Sequence, residues 1–170
     1  MKIQIIGYSG SGKSTLAKKL ASFYKIPYLH LDNVQYYGDF QIRERQKQRE
    51  IVQKFIDENE NWIIDGNYSD VAPCRFEMSD ITIFLNYNRF YCYKMARRRY
   101  RQNKGKIRDS FPCIERFDLS FQWWILFSSR TKKRRKKHMN NLNKTKGRKY
   151  IFKNKTELAQ WLSLEGISCE

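Results

Sequence analysis

The residues Gly7-Tyr8-Ser9-Gly10-Ser11-Gly12-Lys13-Ser14 constrain this chain more than any other feature in it. They satisfy the pattern G-x-x-x-x-G-K-[ST] at every fixed position. An Ile-rich apolar run, residues 2–6, precedes them, and Leu16, Leu20 and Phe23 follow at helical spacing. A strand that turns through such a loop into a helix brings consecutive backbone N–H groups onto one point. The unpaired N–H groups and the positive dipole end of that helix face the same point. The expected occupant is a phosphate chain cradled by Gly7, Ser9, Gly10, Ser11 and Gly12. Lys13 is expected to reach the β- and γ-phosphates, the Ser14 hydroxyl to ligate Mg²⁺, and Thr15 to meet the α-phosphate. ATP and Mg²⁺ are therefore the predicted cofactors.

The rest of the chain reads as alternating strands and helices. Residues 28–31, 61–65, Ile81–Leu85 and Arg148–Phe152 read as further strands. Helices are expected over Lys13–Tyr24, 42–58, 88–102, 118–141 and 156–164. Alternation of this kind argues for an α/β fold, a parallel sheet with helices on both faces. The first half of the predicted 118–141 helix reads as aromatic and buried, the second half as too basic for any face to be core. Residues 103–112, with Gly105 and Pro112, read as a mobile loop. At 170 residues the chain is expected to form one domain, with a lid-like segment at about 97–112.

Charge is unevenly placed. Residues 1–85 hold 11 basic and 11 acidic side chains, whereas 86–170 hold 23 and 6, so the second half carries the whole net charge of +17. Such a field favours polyanionic partners, nucleotides or nucleic acid. No window approaches the length of a membrane span and no leader sequence is evident, so a cytoplasmic protein away from membranes is expected. The four cysteines, Cys74, Cys92, Cys113 and Cys169, form no CxxC pair, which argues against zinc or a disulfide framework and for reduced, mostly packed thiols.

A phosphate site with a metal needs carboxylates, and in open α/β sheets these stand at the carboxyl ends of strands. Asp65 ends an apolar strand and is the expected Mg²⁺-holding acid. Asp32 ends the second strand and is expected either to orient an acceptor hydroxyl or to act as its base. Either acid has a plainer reading as a helix cap or turn residue. His30, inside the strand, reads as a packed histidine. Arg97, Arg98, Arg99 and Arg101 precede the loop, and Arg97 and Arg101, four apart, share a helix face. Those two are the expected closers over ATP, with Arg130 reaching the same phosphates; the plainer reading is a solvated helix end.

The stretch from Ile5 to Ala17, Leu29-His30-Leu31-Asp32, Trp62-Ile63-Ile64-Asp65-Gly66-Asn67-Tyr68-Ser69, Asn88-Arg89-Phe90, Cys113-x-Glu115-x-Phe117-Asp118 and Trp123-x-Ile125-Leu126 together resemble the bacterial DNA topology modulation proteins of FlaR type. The resemblance spans roughly residues 1–128. That family consists of P-loop proteins similar to adenylate kinase, so the resemblance implies a five-stranded parallel sheet of order 2-3-1-4-5, ATP and Mg²⁺ binding, and phosphotransfer. Adenylate kinases follow their third strand with Asp-Gly-Phe-Pro-Arg, whose arginine grips AMP. Here Asp65-Gly66 is kept and Pro-Arg is lost, which leaves Arg75 as the substitute.

Three functions are compatible with these residues. One is a kinase transferring phosphoryl from ATP to a nucleotide or small-molecule acceptor, its identity open. Another is an ATP-regulated, non-specific nucleic-acid binder using the basic run 132–137. The third is an ATPase switch with water as acceptor.

Overall fold

The computed structural model describes residues 1–168; Cys169 lies outside the described residues. Five strands, β1 (Lys2–Gly7), β2 (Tyr28–His30), β3 (Trp62–Asp65), β4 (Ile81–Leu85) and β5 (Arg148–Phe152), form one sheet of order β2-β3-β1-β4-β5. All four pairings are parallel. Strands β3 and β4 are buried at every residue and β1 at all but Lys2, as expected where helices cover both faces. The edge strand β5 instead exposes Arg148 and Lys149, charges that discourage pairing with another chain.

The helices are α1 (Lys13–Tyr24), α2 (Leu31–Gln35), α3 (Arg45–Glu58), α4 (Cys74–Met78), α5 (Arg89–Gln102), α6 (Leu119–Leu126), α7 (Lys132–Lys144) and α8 (Lys155–Leu164). Two apolar clusters hold them. The larger joins Ile3, Ile5, Leu20, Ile83 and Phe84 to Cys92, Leu142 and Trp161. The smaller joins Leu31, Val52, Ile56, Trp62 and Ile64 at the β2 end of the sheet. Each such side chain contributes roughly 1.5–3 kcal/mol by leaving water. No helix among the described residues is long and apolar enough to cross a membrane.

Three sequence expectations need correction. The single helix over 118–141 is broken: α6 stops at Leu126, Ser128–Arg130 makes a 3₁₀ turn, and α7 restarts behind the Thr131 cap. Hydroxyl side chains compete for helix backbone there, with Ser129 Oγ donating to the Ile125 carbonyl and the Arg134 N–H donating to Thr131 Oγ1. The burial of the two halves is also other than the composition suggested. Only Ile125 is buried in α6, while Leu119 and Trp123 are 82% and 62% exposed. In α7, His138, Asn141 and Leu142 form a buried face at i, i+3 and i+4, and residues 132–137 stay exposed. The second strand is also shorter than expected, so Asp32 stands in the first turn of α2.

Candidate functional site

Gly7 ends β1 and the next five residues turn back to open α1. Gly12, the residue before the helix, has φ of 91°, and Gly10 has φ of 78°, both left-handed conformations that suit glycine. Gly10 is also fixed by contact, since a Cβ there would lie 2.2 Å from the Cys92 carbonyl oxygen of α5. Asn67, just past β3, clamps the start of the loop: the Gly7 N–H donates to Asn67 Oδ1 (3.1 Å) and Asn67 Nδ2 donates to the Gly7 carbonyl (2.7 Å). Lys13 folds over the loop, its Nζ donating to the Tyr8 carbonyl at 3.2 Å. Burial lowers the Lys13 pKa, with Asp32 and Asp65 opposing that shift. Ser11 Oγ is buried without a hydrogen-bond partner. Ser9 is half-buried and Thr15 exposed, and both border the cleft.

Beneath the loop, Ser14 Oγ donates to Asp65 Oδ2 at 2.9 Å. The other Asp65 oxygen pairs with His30 Nδ1, and both side chains are buried. The β2–β3 register sets His30 against Asp65, which is how the shortened strand brings a histidine into the site. A serine hydroxyl and a carboxylate are hard oxygen donors that suit Mg²⁺, which keeps waters and substrate oxygens as its remaining ligands. Among the described residues no group of three or more His, Cys, Asp or Glu forms a protein-only metal site.

A cleft of about 1870 Å³ opens over the loop. Nine basic and five acidic side chains line it, a surplus that attracts a polyanion. Helices α5–α7 supply Tyr91, Met95, Phe121, Trp124, Arg134, Lys137 and His138 to its wall. Burial and the cations Lys13, Lys137 and Arg134 push the His138 pKa down to about 4, so the ring is neutral at pH 7 where it packs on Tyr8 and Phe84. Helix α2 and the loops 36–40, 66–70 and 106–116 supply further wall.

Asp32 sits in that wall. One of its oxygens accepts from the Tyr68 hydroxyl at 2.9 Å, and the Tyr36 hydroxyl adjoins Tyr68. Burial raises the Asp32 pKa; Lys13, the largest opposing influence, does not cancel the effect. Residues 103–116 cross beside it, tied by Lys18 to Asp109, by Asn33 to the Asp109 carbonyl, and by the Phe40 N–H to Cys113 Sγ at 3.2 Å.

The arginines are arranged otherwise than the sequence predicted. Arg97 and Arg101 are exposed and absent from the cleft lining, where Arg98 and Arg99 stand instead. At about 100° per residue, positions two away from Arg99 point to the far side of the helix. Arg99 makes a double hydrogen bond to buried Glu115, and Arg108 lies 3.7 Å from the same carboxylate. Arg130 lies outside the cleft wall, its guanidinium 3.8 Å from the Tyr8 ring centroid with the Cys92 thiol beside it. It steadies the loop through Tyr8. Arg75, the candidate phosphate grip, is fully buried. It donates to Gln4 Oε1 (2.8 Å) and to the Tyr68 and Ala72 carbonyls (3.0 and 2.9 Å), and burial lowers its pKa to about 10.

Sequence reasoning gave no role to Asn67, Tyr68, Arg108 and Glu115, passed over Arg99 within its arginine cluster in favour of Arg97 and Arg101, and read His30 as mere packing. Asn67 and Tyr68 had a signal, their place just beyond an acid-ended strand. The Arg99–Glu115 pair had none, since 16 residues without regular pattern separate its members.

No family model matches the chain, and no curated protein does. Solved structures do match over nearly the whole length. A shikimate kinase from Bacteroides thetaiotaomicron is 19% identical with TM-score 0.55, covering 98% of both chains. Deoxyadenosine kinase from M. mycoides with bound dATP is 14% identical with TM-score 0.55, covering 99% of this chain and 100% of that one. An uncharacterized protein from Eubacterium ventriosum is 16% identical with TM-score 0.53, covering 100% of both. The chain therefore has the P-loop kinase-like fold. These neighbours do not extend to the DNA topology modulation family, which stays a resemblance of sequence.

Proposed function

We propose that this chain is a kinase transferring the γ-phosphoryl group of ATP to a hydroxyl of a small acceptor, with Asp32 as the base. The single observation carrying this reading is the Asp32 carboxylate, held by Tyr68 at the cleft wall and kept a better proton acceptor by burial. Gly7, Ser9, Gly10, Ser11, Gly12, Lys13, Ser14 and Thr15 would hold the triphosphate, and Ser14 with Asp65 the Mg²⁺, which supplies charge neutralisation between the phosphates. The acceptor oxygen bonds to the γ-phosphorus as the bond to the β–γ bridging oxygen breaks, and the acceptor proton passes to Asp32. Lys13 and Arg99 oppose the negative charge on the equatorial oxygens. His30 orients Asp65. A phosphate acceptor fits less well, because Arg75 is buried with its donors engaged and Glu115 offsets part of the charge of Arg99 and Arg108.

The test is ADP formation from Mg-ATP across nucleoside monophosphates, nucleosides and small alcohols. Transfer to an alcohol is expected. Transfer only to monophosphates would overturn the hydroxyl reading, and ADP formed without any acceptor would favour an ATPase switch.

A second reading, non-specific nucleic-acid binding, draws support from the exposed run 132–137 near α6, where Trp123 and Phe127 are 62% and 45% exposed. Arg89 lies over the Phe127 ring at 5.8 Å. Cations beside exposed rings suit a strand's phosphates and bases. Retention on single-stranded DNA at low salt checks it.

A further inference from the structure

The wall beyond Asp32 is built of rings. Tyr36, Phe40 and Phe111 all line the cleft and touch one another edge to face, with centroids 5.7–6.2 Å apart. All three are half-buried, so part of each ring is left uncovered by the protein. The cluster is continuous with the base, because the Tyr36 hydroxyl adjoins Tyr68 and Tyr68 donates to Asp32.

We propose that the acceptor is an uncharged alcohol carried on a flat aromatic or heteroaromatic ring, its ring against Tyr36, Phe40 and Phe111 and its hydroxyl at Asp32. This inference rests on the kinase reading above. Three alternatives fit the same wall less well. A cationic acceptor would meet faces already taken, since Arg116 lies over Phe40 at 4.9 Å and Arg108 over Phe111 at 5.7 Å. A ring-free polyol needs a polar partner for each hydroxyl, and this cluster offers only the Tyr36 hydroxyl; the remaining hydroxyls would be desolvated without compensation. A phosphorylated acceptor meets Arg99 and Arg108 with part of their charge already offset by Glu115. A flat ring instead gains edge or offset contacts with three aromatic neighbours.

Two measurements on the full chain test the idea. The first is acceptor-dependent ADP formation with adenosine, thymidine and pyridoxine against glycerol, ribose and AMP. The second is saturation-transfer NMR of the same compounds without ATP, which reads binding independently of turnover. Transfer to at least one ring-bearing alcohol is expected, with its KM raised about three- to tenfold by Phe111→Leu, a change worth the usual aromatic pair contribution. ATP affinity by calorimetry shows that the variant is folded. Transfer to glycerol or ribose and not to the ring compounds overturns this inference and leaves the kinase reading standing. Ring compounds that bind but are never phosphorylated overturn the kinase reading and support the ring site. Ring compounds that neither bind nor react overturn the inference.

Discussion

As the proposed base, Asp32 carries opposite consequences for activity and stability. Its folded pKa lies above the unfolded value, so the folded state holds the proton more tightly and stability falls as pH rises through that range. At pH 7–8 the charged form is the one penalised. Asp32→Asn is therefore expected to lower kcat by about 10²–10⁴ and to raise the melting temperature, with ATP affinity kept; a lowered melting temperature would contradict this account. His138 has the reverse sign. Its folded pKa of about 4 lies below the free value of 6.5, so stability is full above pH 6.5 and is lost as pH falls toward 4. The loss amounts to about 3 kcal/mol. Denaturation of the wild type and His138→Phe at pH 4.5 and 7.5 isolates it, the variant showing the flatter profile. Among the arginines, Arg99→Ala is expected to reduce transfer by about 10²–10³, and Arg101→Ala by no more than about twofold. Steady-state kinetics on the two variants separates the cleft face of α5 from its solvent face.

The phosphate loop is held by packing as well as by backbone conformation. Because a Cβ on Gly10 would strike the Cys92 carbonyl, Gly10→Ala must move the loop or the start of α5. A cost of about 2 kcal/mol is expected, seen as a melting temperature lower by roughly 4–8 °C. This element was legible in the sequence, as were β1, β3, β4 and the parallel sheet, because glycine spacing and unbroken apolar runs are local signals. The break between α6 and α7 was not, since Phe127 and the following serines interrupt a helix without a proline or glycine to mark the place. The candidate site divides the same way. Ser14 and Asp65 were readable and lie in hydrogen-bond contact. The face of α5 that meets the cleft depended on how the helix rolls against Gly10, which four arginines in five positions do not reveal.

Across the whole molecule, the excess of positive charge is divided between the cleft and the outer surface. Arg134 and Lys137 of α7 border the cleft, while Lys132, Lys133 and Lys136 are exposed and outside its lining. Nucleic-acid retention, if it occurs, should fall steeply between about 50 and 200 mM salt through counterion release, and replacing Lys132, Lys133 and Lys136 by Gln should flatten that dependence without altering ATP affinity. Filter binding across a salt series measures both. Finally, Arg75 ties the loop after β3 to Gln4 of the central strand and to the Tyr68 carbonyl from underneath. Anyone seeking to retarget the proposed kinase by directed evolution should leave that anchored loop unmutated and build libraries at positions 36, 40 and 111, where diversity would reach the proposed acceptor site without disturbing the sheet.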